Sequence, residues 1–316
     1  MWTPPAEFDS CKVVTRVEPG IVREAVEGLD TDEVLVIKTD LSRQDCNAIG
    51  EALGRGWPLW FRRDGDVIWM RSCKSALSVQ IDERPLGYYV DMIERDEPFA
   101  FLRYGDMLAC VTDTLYGGYG FQQFTPGLKA DMLRTLVEYH RDPHYIMALA
   151  PVYHFKRLGL WGHVAHFLHD NDLDDIGWVC TEVFNRAMMK GELWPFVKAL
   201  RNTDTLVVGP AKFAPLTETT LPDAALLVIP DRECYAQMDE MTDAILALRP
   251  RPAVVTISAG PAAVVLIHRL WPVIGKSTTL ISIGTAWAPF AGVAEHNDHH
   301  KITEETMRHN LGEESG

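Results

Sequence analysis

From about residue 80 onward, short apolar runs alternate with amphipathic helical stretches, and this alternation constrains the fold more than any other feature. Apolar runs of strand length recur at residues 99–104, 145–150, 205–210, 253–260 and 279–284. Helical periodicity separates them, as in PLGYYVDMIERD, PGLKADMLRTLVEYH and PAAVVLIHRLWPVIG. Strands that alternate with helices form parallel sheets, because each connection must cross the sheet. The pattern predicts an α/β fold with a mostly parallel, Rossmann-like sheet and helices on both faces.

The residues before this pattern, 1–76, are predicted to form a small α+β module of unknown role. EVLVIKT is typical of a strand, and SRQDCNAIGEALGRG of a helix. PLWFRR and DVIWMR are predicted strands, joined by a hairpin at Asp64 and Gly65. The tryptophans of this module favour an aromatic core over a binding face; they are Trp57, Trp60 and Trp69.

The sheet domain is predicted to span residues 77–301, and residues 302–316 are predicted to form a polar C-terminal tail. Within that tail, Thr303 to Asn310 favour a short helix before a frayed end.

Charge and cysteine content narrow the class of protein. The formal net charge of −14 disfavours non-specific binding to nucleic acid or to anionic membrane. The longest apolar stretch, Ala253–Ile267, is interrupted by Ser258, Gly260 and Pro261, so no membrane partner is expected. The six cysteines form no Cys-x-x-Cys pair, and no secretory leader is visible. A cytoplasmic protein without a disulfide framework or a zinc knuckle is therefore expected.

Arg103 and Asp106 directly follow the apolar run Phe99–Leu102 in the stretch FLRYGDML. In one interpretation they pair with each other, or Asp106 caps the next helix. In the other they form a ligand site, because open α/β sheets bind ligands at the carboxyl ends of their strands. A guanidinium can bind phosphate through two hydrogen bonds. We expect both side chains to face a nucleotide pocket and not to form a buried structural pair.

Three further predicted strands end in glycine-containing turns, VVGP, ISAGP and SIGT. They place Gly209, Gly260 and Gly284, together with Ser258, at strand ends. Glycine lets the backbone approach a ligand closely, although short loops also favour it for conformational reasons. With the arginine-containing turn at a fourth strand end, the pattern favours a nucleotide or another phosphorylated ligand along the carboxyl edge.

Histidines cluster in two places. His163, His166 and His169 recur every third residue on a predicted helix, which favours a solvated helix face over a metal site. The stretch EHNDHH, residues 295–300, could ligate a divalent ion or supply a general base, and a flexible polar tail is equally compatible with it.

Two other motifs give weaker evidence about function. The stretch GKST is not a P-loop, because Leu270 stands five residues before Gly275 and a strand, not a helix, follows. Glu182 follows a predicted strand, and it could be the N-terminal carboxylate of the next helix or an acid of the site.

Four stretches between residues 80 and 301 resemble the GT-D-type glycosyltransferase family, particularly its phage-encoded relatives. FLRYGDML resembles the family's R-F/Y-G-D-G-E, and the segment from TEVFNRAMMKG to VVGP resembles its acid-x-x-x-x-x-A-x-x-x-G…VVGP. VIPDRECY and VVTISAGPAAVVLIHRLW resemble its strand-turn-helix units. SIGTAWAPFAG, with histidines after it, resembles its D-x-G-S-x-x-D-P-x-x-G. The order and spacing of all four agree.

The resemblance implies a nucleotide-sugar donor and a divalent metal, Mn²⁺ or Mg²⁺, held by the family's D-x-E. Asp106 keeps the first carboxylate, but Leu108 stands at the Glu position, and Ala288 at the Asp of the D-P motif. Because these ions prefer oxygen ligands, the site is weakened, with Asp106 and His299 as remaining ligand candidates. Metal dependence is therefore expected to be weak.

The resemblance also implies roles for individual residues. The catalytic candidates are Asp106, Glu182 and His300. Donor binding is assigned to Arg103, Gly105, Gly209, Lys212, Ser258, Gly260 and Gly284, with Lys212 as the second cation beside the diphosphate.

The leading hypothesis is a glycosyltransferase that moves a sugar from a nucleotide-sugar to an acceptor hydroxyl. The acceptor could be a protein, a glycan or, given the phage likeness, a hydroxylated base in DNA in a phage-infected bacterial host. A catalytically degenerate binding module and another nucleotide-dependent enzyme are the alternatives. The sequence does not predict the sugar, the acceptor or the oligomeric state.

Overall fold

The computed structural model divides the chain into two compact units, each considered by itself. Residues 1–80, 106–117 and 150–176 form the first unit, and residues 81–105, 118–149 and 177–316 form the second. Two later segments thus group with the N-terminal residues. The structure describes residues 11–14, 34–38, 59–64, 67–72, 79, 81–105, 107–112, 118–119, 121–150, 164, 167–168, 171–173, 176–293 and 301–313.

The strands and helices are numbered here in chain order. The strands are β1 (Cys11–Val14), β2 (Val34–Lys38), β3 (Leu59–Asp64), β4 (Val67–Ser72), β5 (Ile81–Asp82), β6 (Ala100–Tyr104), β7 (Gly118–Tyr119), β8 (Gln122–Gln123), β9 (Tyr145–Leu149), β10 (Trp178–Cys180), β11 (Thr205–Pro210), β12 (Ala225–Ile229), β13 (Val254–Ile257) and β14 (Thr279–Ser282). The helices are α1 (Leu86–Glu94), α2 (Met107–Thr112), α3 (Pro126–Val137), α4 (Val183–Lys190), α5 (Trp194–Arg201), α6 (Met238–Ala247), α7 (Ala262–Ile274) and α8 (Glu304–Asn310).

The first unit contains a four-stranded sheet in the order β1-β2-β4-β3. β1 and β2 run parallel, and the other two pairs are antiparallel. Asp64 is paired with Val67, which confirms the hairpin predicted at Asp64 and Gly65. The helix predicted over residues 42–56 and the three tryptophan side chains lie outside the described residues.

The second unit is built on an eight-stranded sheet in the order β12-β11-β13-β14-β6-β9-β10-β5. Every neighbouring pair in this order is parallel. The α/β fold with a mostly parallel sheet is therefore confirmed. Because parallel strands end at the same edge, the residues that follow β6, β10, β13 and β14 share one border of the sheet.

Helices of the second unit pack in two groups. In one, α7 contacts both α3 and α6; in the other, α1 and α8 each contact α4 and α5. The connections that contain α3, α6 and α7 advance along the sheet in one direction, whereas those through α1 and through α4 and α5 advance in the other. Right-handed crossovers then place the two groups on opposite faces of the sheet.

An aromatic cluster fills the core between the sheet and the group of helices around α1. Tyr89, Phe101, Phe184, Phe196 and Trp287 are each at most 1% exposed. Their ring centroids lie 5.2 Å apart for Tyr89 and Phe101, and 4.8 Å apart for Phe184 and Phe196. Burial of such side chains stabilises the fold by roughly 1.5–3 kcal/mol each, which gives the strand ends a rigid support.

The helix predicted in the C-terminal tail is present as α8, and it is docked on the second unit. The side chain of Asn310 is fully buried. Its Oδ1 accepts from the backbone N–H of Leu193 at 2.9 Å, and its Nδ2 donates to the carbonyl of Met188 at 2.7 Å. One amide thus satisfies backbone groups on both sides of the α4–α5 junction.

Among the described residues, no helix is long and apolar enough to cross a membrane.

A second polar cluster, in which Tyr145 and His268 are buried and Glu138 is exposed, ties α7 to β9 and to the end of α3. The hydroxyl of Tyr145 lies 3.0 Å from Nδ1 of His268, whose Nε2 lies 3.1 Å from Oε2 of Glu138. Since a carboxylate can only accept, Nε2 carries the proton and the Tyr145 hydroxyl donates to Nδ1. Burial lowers the pKa of His268 below its ordinary value, although Glu138 acts in the opposite direction. His268 is therefore neutral in the folded protein near neutral pH.

We expect the Asn310→Ala variant to unfold with a free energy about 2–4 kcal/mol lower than the wild type, because two buried backbone groups lose their partner. Chemical denaturation measures this change. The exposed Asn202 is the matched control, and Asn202→Ala should change stability by about 0.5 kcal/mol or less. Equal effects of the two substitutions would show that α8 is not held by Asn310.

We also expect acid to weaken the fold through His268. Its folded pKa lies below the unfolded value of about 6.5, so the unfolded chain binds more protons and stability decreases as the pH falls below that value. Unfolding free energies measured from pH 8 to pH 5 should therefore fall less steeply in His268→Gln than in the wild type. Identical slopes would contradict this assignment.

Candidate functional site

Several of the residues predicted for donor binding and catalysis lie at the carboxyl edge of the central strands. Arg103 is the penultimate residue of β6, Glu182 follows β10, Ser258 follows β13, and Gly284 follows β14. β6 lies between β14 and β9, and β10 is the next strand beyond β9. The parallel sheet thus assembles a site from residues that are distant in sequence.

Arg103 and Glu182 form the central ion pair of this site. Nη2 of Arg103 donates to Oε1 of Glu182 at 2.9 Å, across 79 residues of sequence. The two side chains are 20% and 13% exposed, so water screens the pair only in part. The expectation that Arg103 and Asp106 do not pair with each other stays a prediction, because Asp106 lies outside the described residues. The partner of Arg103 is Glu182, because parallel pairing brings the ends of β6 and β10 to the same edge.

Glu182 occupies the N-cap position of α4, but its side chain does not cap the helix. Within the described part of the chain, its carboxylate makes no capping hydrogen bond to the helix. Oε1 also accepts from the hydroxyl of Thr181 at 3.1 Å, and the Nδ2 of Asn185 lies 3.5 Å from Oε2. Both carboxylate oxygens are thus engaged, and Glu182 fixes the orientation of Arg103. The sequence analysis missed Thr181 and Asn185. The only signal for them was their position, since Thr181 precedes Glu182 by one residue and Asn185 follows it by three.

Gly284 allows the backbone to pass closely by the guanidinium group. Its φ of +63° lies in the left-handed region, and an added Cβ would lie 3.1 Å from Nη1 of Arg103. The hydroxyl of Ser258 donates to the carbonyl of Gly284 at 2.9 Å, which ties the ends of β13 and β14 together. Gly105 also borders Arg103, since its Cβ position would lie 3.7 Å from Nη1. A side chain at either glycine would therefore crowd the guanidinium.

Two polar atoms beside the ion pair are buried and lack a hydrogen-bond partner within the described residues. They are Nε of Arg103 and Oδ1 of Asn185. Such a group costs about 1–3 kcal/mol when it is left unsatisfied, so it is rare unless a ligand or water completes it. The Arg103 donor suits an anionic oxygen, and the Asn185 acceptor suits a hydroxyl.

Gly209 and Lys212 lie apart from this site. They belong to the end of β11, which is separated from β6 by β13 and β14. The Cβ position of Gly209 would lie only 2.8 Å from the ring of Phe213, so this glycine makes room for a packed side chain. Nζ of Lys212 pairs with Asp231 at 2.6 Å. The structure thus does not bring the predicted second cation next to Arg103.

Gly260 lies at the end of β13 beneath an aromatic residue that the sequence did not single out. Its φ is +54°, and an added Cβ would lie 2.7 Å from the ring of Phe121. Phe121 stands in the short β7–β8 hairpin, and its side chain is 43% exposed. The only signal in the sequence is the glycine-rich stretch YGGYGF before it.

Asp106, His299 and His300, like His163, His166 and His169, lie outside the described residues. Among the residues that are described, no group of three acidic, histidine or cysteine side chains could hold a metal ion. Glu182 is the carboxylate at the described site, and it is already engaged by Arg103. These residues do not fit a metal, and we derive no step through one.

Ala288, which the GT-D resemblance aligns with an aspartate, is fully buried. It packs in the apolar core with Trp287 and Phe290. A carboxylate here would have to be desolvated at considerable cost, so an apolar residue suits this position.

The cysteine next to Glu182 is not a nucleophile. Cys180 ends β10, and burial raises the pKa of its thiol to about 11. The pKa of the other described cysteine side chain with a resolved shift, Cys234, is also raised to about 11 by burial. Both remain protonated near neutral pH, which excludes thiolate chemistry at these two residues.

The fold of this chain is similar to that of two solved structures. One solved structure is described as "The highly conserved domain of unknown function 1792 has a distinct glycosyltransferase fold"; it is 14% identical, with a TM-score of 0.53. A selenomethionine-substituted structure of domain of unknown function 1792 is 15% identical, with a TM-score of 0.54. Each match covers 67% of this chain and 81% of the other. No protein-family profile and no curated protein matches the chain. Similarity at this level of identity shows the fold alone.

We expect the Arg103–Glu182 ion pair to contribute to the stability of the folded protein. Arg103→Met should destabilise the protein by about 2–4 kcal/mol, because it leaves the Glu182 carboxylate partly buried without its cation. The double variant with Glu182→Gln should be less destabilised than the sum of the single variants, with an interaction energy of about 1–3 kcal/mol. Denaturation of the wild type and three variants gives this cycle. Strict additivity would show that the two side chains do not interact in solution.

Proposed function

We propose that the second unit binds a nucleotide-sugar at the carboxyl edge of its sheet and transfers the sugar to an acceptor hydroxyl. One observation carries this proposal: a guanidinium with an unsatisfied, buried Nε donor lies where parallel α/β sheets bind ligands. The likeness of the fold to a structure described as a glycosyltransferase fold supports it. The resemblance of the sequence to the GT-D-type glycosyltransferase family, particularly to its phage-encoded relatives, also supports the proposal.

Arg103 is assigned to the diphosphate of the donor. Its Nη2 is occupied by Glu182, which leaves the rest of the guanidinium to face a phosphate oxygen. A preorganised donor of this kind stabilises the negative charge that develops on the leaving diphosphate. The left-handed turn at Gly284 keeps the backbone close to the guanidinium, so the group need not reorganise during the reaction.

The transfer breaks the bond between the anomeric carbon and the diphosphate oxygen, and it forms a bond from that carbon to the acceptor oxygen. The acceptor proton must pass to a base during this step. Glu182 is a poor candidate for that base, because Arg103, Thr181 and Asn185 engage its two oxygens. We therefore assign Glu182 to positioning and keep Asp106 and His300 as the proposed groups for the acceptor proton.

A nucleotide-sugar-binding domain without transfer is the second candidate. It is favoured by the neutral charge of the Arg103–Glu182 pair and by the apolar Ala288 at a family carboxylate position. For a transferase, the acceptor remains a protein, a glycan or hydroxylated DNA, and the net charge of −14 argues against DNA.

Binding and turnover by the purified protein separate the two candidates. Thermal shifts with uridine, guanosine and adenosine diphosphates and their sugar conjugates should reveal a stabilising ligand, because a ligand that binds only the folded state raises its stability. Release of nucleoside diphosphate from that sugar conjugate then measures turnover. Binding without release under any acceptor condition would favour the binding domain, and no binding of any nucleotide would refute both.

Arg103→Ala should weaken binding of the nucleoside diphosphate by about 10–100-fold, as expected for a lost charged hydrogen bond. Arg269 is the matched control, since it is also partly buried and pairs with Asp131 and Asp239 on α3 and α6. Arg269→Ala should leave the affinity unchanged. EDTA should reduce turnover only slightly, and a complete loss that Mn²⁺ restores would show that the predicted ligands, Asp106 and His299, bind metal.

A further inference from the structure

The hydrogen-bonding character of the carboxyl edge changes between β6 and β10. At the end of β6, the Arg103 guanidinium offers donors and no acceptor. Directly after β10, Glu182 contributes two carboxylate oxygens and Asn185 an amide oxygen, and these atoms only accept. The ion pair between Arg103 and Glu182 joins the two sides at 2.9 Å. The two sides therefore suit different chemical groups of one ligand.

Asn185 holds a buried acceptor that has no partner. The residue lies in the first turn of α4, and within the described part of the chain its Oδ1 has no hydrogen bond. Its Nδ2 lies 3.5 Å from Oε2 of Glu182. Exchanging the two amide atoms would turn the oxygen toward the carboxylate, where two acceptors repel each other, so the atom without a partner is the oxygen.

Such an acceptor is destabilising until a donor reaches it. The Oδ1 atom is buried, but Asn185 as a residue is only half-buried. A small rotation of the amide therefore suffices to bring Oδ1 to a ligand in the crevice.

A phosphate group cannot supply the missing donor. The diphosphate of a nucleotide-sugar is ionised near neutral pH, so its oxygens accept hydrogen bonds and donate none. The Glu182 carboxylate also places negative charge beside the Asn185 amide, and like charges repel. A hydroxyl is neutral and can donate, so it fits the side of the site at β10, whereas the diphosphate fits the Arg103 side.

We propose that Oδ1 of Asn185 accepts a hydrogen bond from a hydroxyl of the transferred sugar. This inference rests on the proposed function and specifies which part of the donor lies at β10. One carboxylate, that of Glu182, separates the Arg103 guanidinium from the Asn185 amide. In a nucleotide-sugar the anomeric carbon is bonded to a phosphate oxygen, so the hydroxyls of the sugar lie within one ring of the diphosphate. A diphosphate at Arg103 thus places a sugar hydroxyl near Asn185.

The ribose is the other part of the donor that carries hydroxyls. It leaves the diphosphate on the side away from the sugar, which is the side of β14 when the sugar lies at β10. There the Gly284 turn follows the strand, and it has no side chain that would exclude a nucleoside. Since a ribose hydroxyl has the same chemistry as a sugar hydroxyl, the experiment has to distinguish the two sources.

This contact makes Asn185 a residue that determines sugar specificity. A sugar with a hydroxyl at the contacted carbon satisfies Oδ1, and a deoxy sugar leaves it unpaired. Sites that pair a substrate hydroxyl discriminate strongly against the analogue that lacks it, because a buried polar group then loses its partner.

Calorimetry on the full chain compares nucleoside diphosphates with their sugar conjugates. The probes are uridine, guanosine and adenosine diphosphate, with uridine diphosphate glucose, guanosine diphosphate mannose and adenosine diphosphate glucose. Asn185→Ala should raise the Kd of the tightest-binding conjugate about tenfold, as expected for one lost hydrogen bond, and leave that of its parent diphosphate unchanged. Asn202→Ala is the matched control and should change neither Kd, since the exposed Asn202 follows α5 and precedes β11, at the opposite edge of the sheet.

Deoxy analogues of that conjugate identify the hydroxyl that Asn185 contacts. The wild type should bind one analogue, deoxygenated in the sugar, about tenfold more weakly than the conjugate itself. Asn185→Ala should bind the two equally, because the hydroxyl and the amide oxygen form a single interaction. A conjugate with deoxyribose in place of ribose should be weakened to the same extent by Asn185→Ala as the parent conjugate.

Each outcome decides the inference. Equal weakening of the conjugate and of its parent diphosphate would show that Asn185 only supports Glu182 and Arg103. Loss of the Asn185→Ala effect with the deoxyribose conjugate would move the contact to the nucleoside. Wild-type affinity for the conjugate in a folded Asn185→Ala protein would show that no ligand hydroxyl satisfies Oδ1.

Each of these three results overturns the inference and leaves the proposed function intact. Failure of the wild type to bind any of the conjugates would refute the inference and the proposed function together. If Asn185→Ala does not fold, Asn185→Leu takes its place, because leucine keeps the size of the side chain without its polar atoms.

Discussion

Parallel pairing of β6 with β14 on one side and β9 on the other is the constraint on which the candidate site depends. It aligns the carboxyl ends of strands that are far apart in the sequence, so that one arginine meets a glutamate 79 residues later in the chain. The buried aromatic cluster around Tyr89 and Phe184 supports these strand ends from below. Without that register, Arg103, Glu182 and Gly284 would have no common location.

The Arg103–Glu182 ion pair determines how strongly this edge of the sheet can attract an anionic ligand. Glu182 neutralises Arg103, so the site attracts a diphosphate less strongly than an unpaired arginine would. In return, the guanidinium is oriented by Glu182 and bordered by Gly284, and its Nε is left buried and unsatisfied within the described residues. A preorganised donor loses little entropy when it binds an anionic oxygen, which is an advantage for catalysis and for tight binding alike. This is why binding and turnover have to be measured separately.

Local strain also fixes the β7–β8 hairpin. Glu233 adopts a left-handed conformation and binds the hairpin through its backbone and its carboxylate, and Gly260 leaves room for the ring of Phe121.

The sequence by itself determined the fold class and the positions of the elements. Periodicities of 2 and 3.6 residues are local properties, so the strand at Ala100–Tyr104, the helix at Ala262–Ile274 and even the terminal helix at Glu304–Asn310 could be predicted from short stretches. Arg103, Ser258 and Gly284 could be assigned to strand ends for the same reason. Only the tertiary structure decided which of these side chains lie next to each other. Strand order is set by long-range packing, so it alone paired Arg103 with Glu182, separated Lys212 from them, and docked Asn310 between α4 and α5. Phe121 carried no signal of its own in the sequence, because its position depends on a residue 112 places further along the chain, Glu233, that no local pattern connects to it.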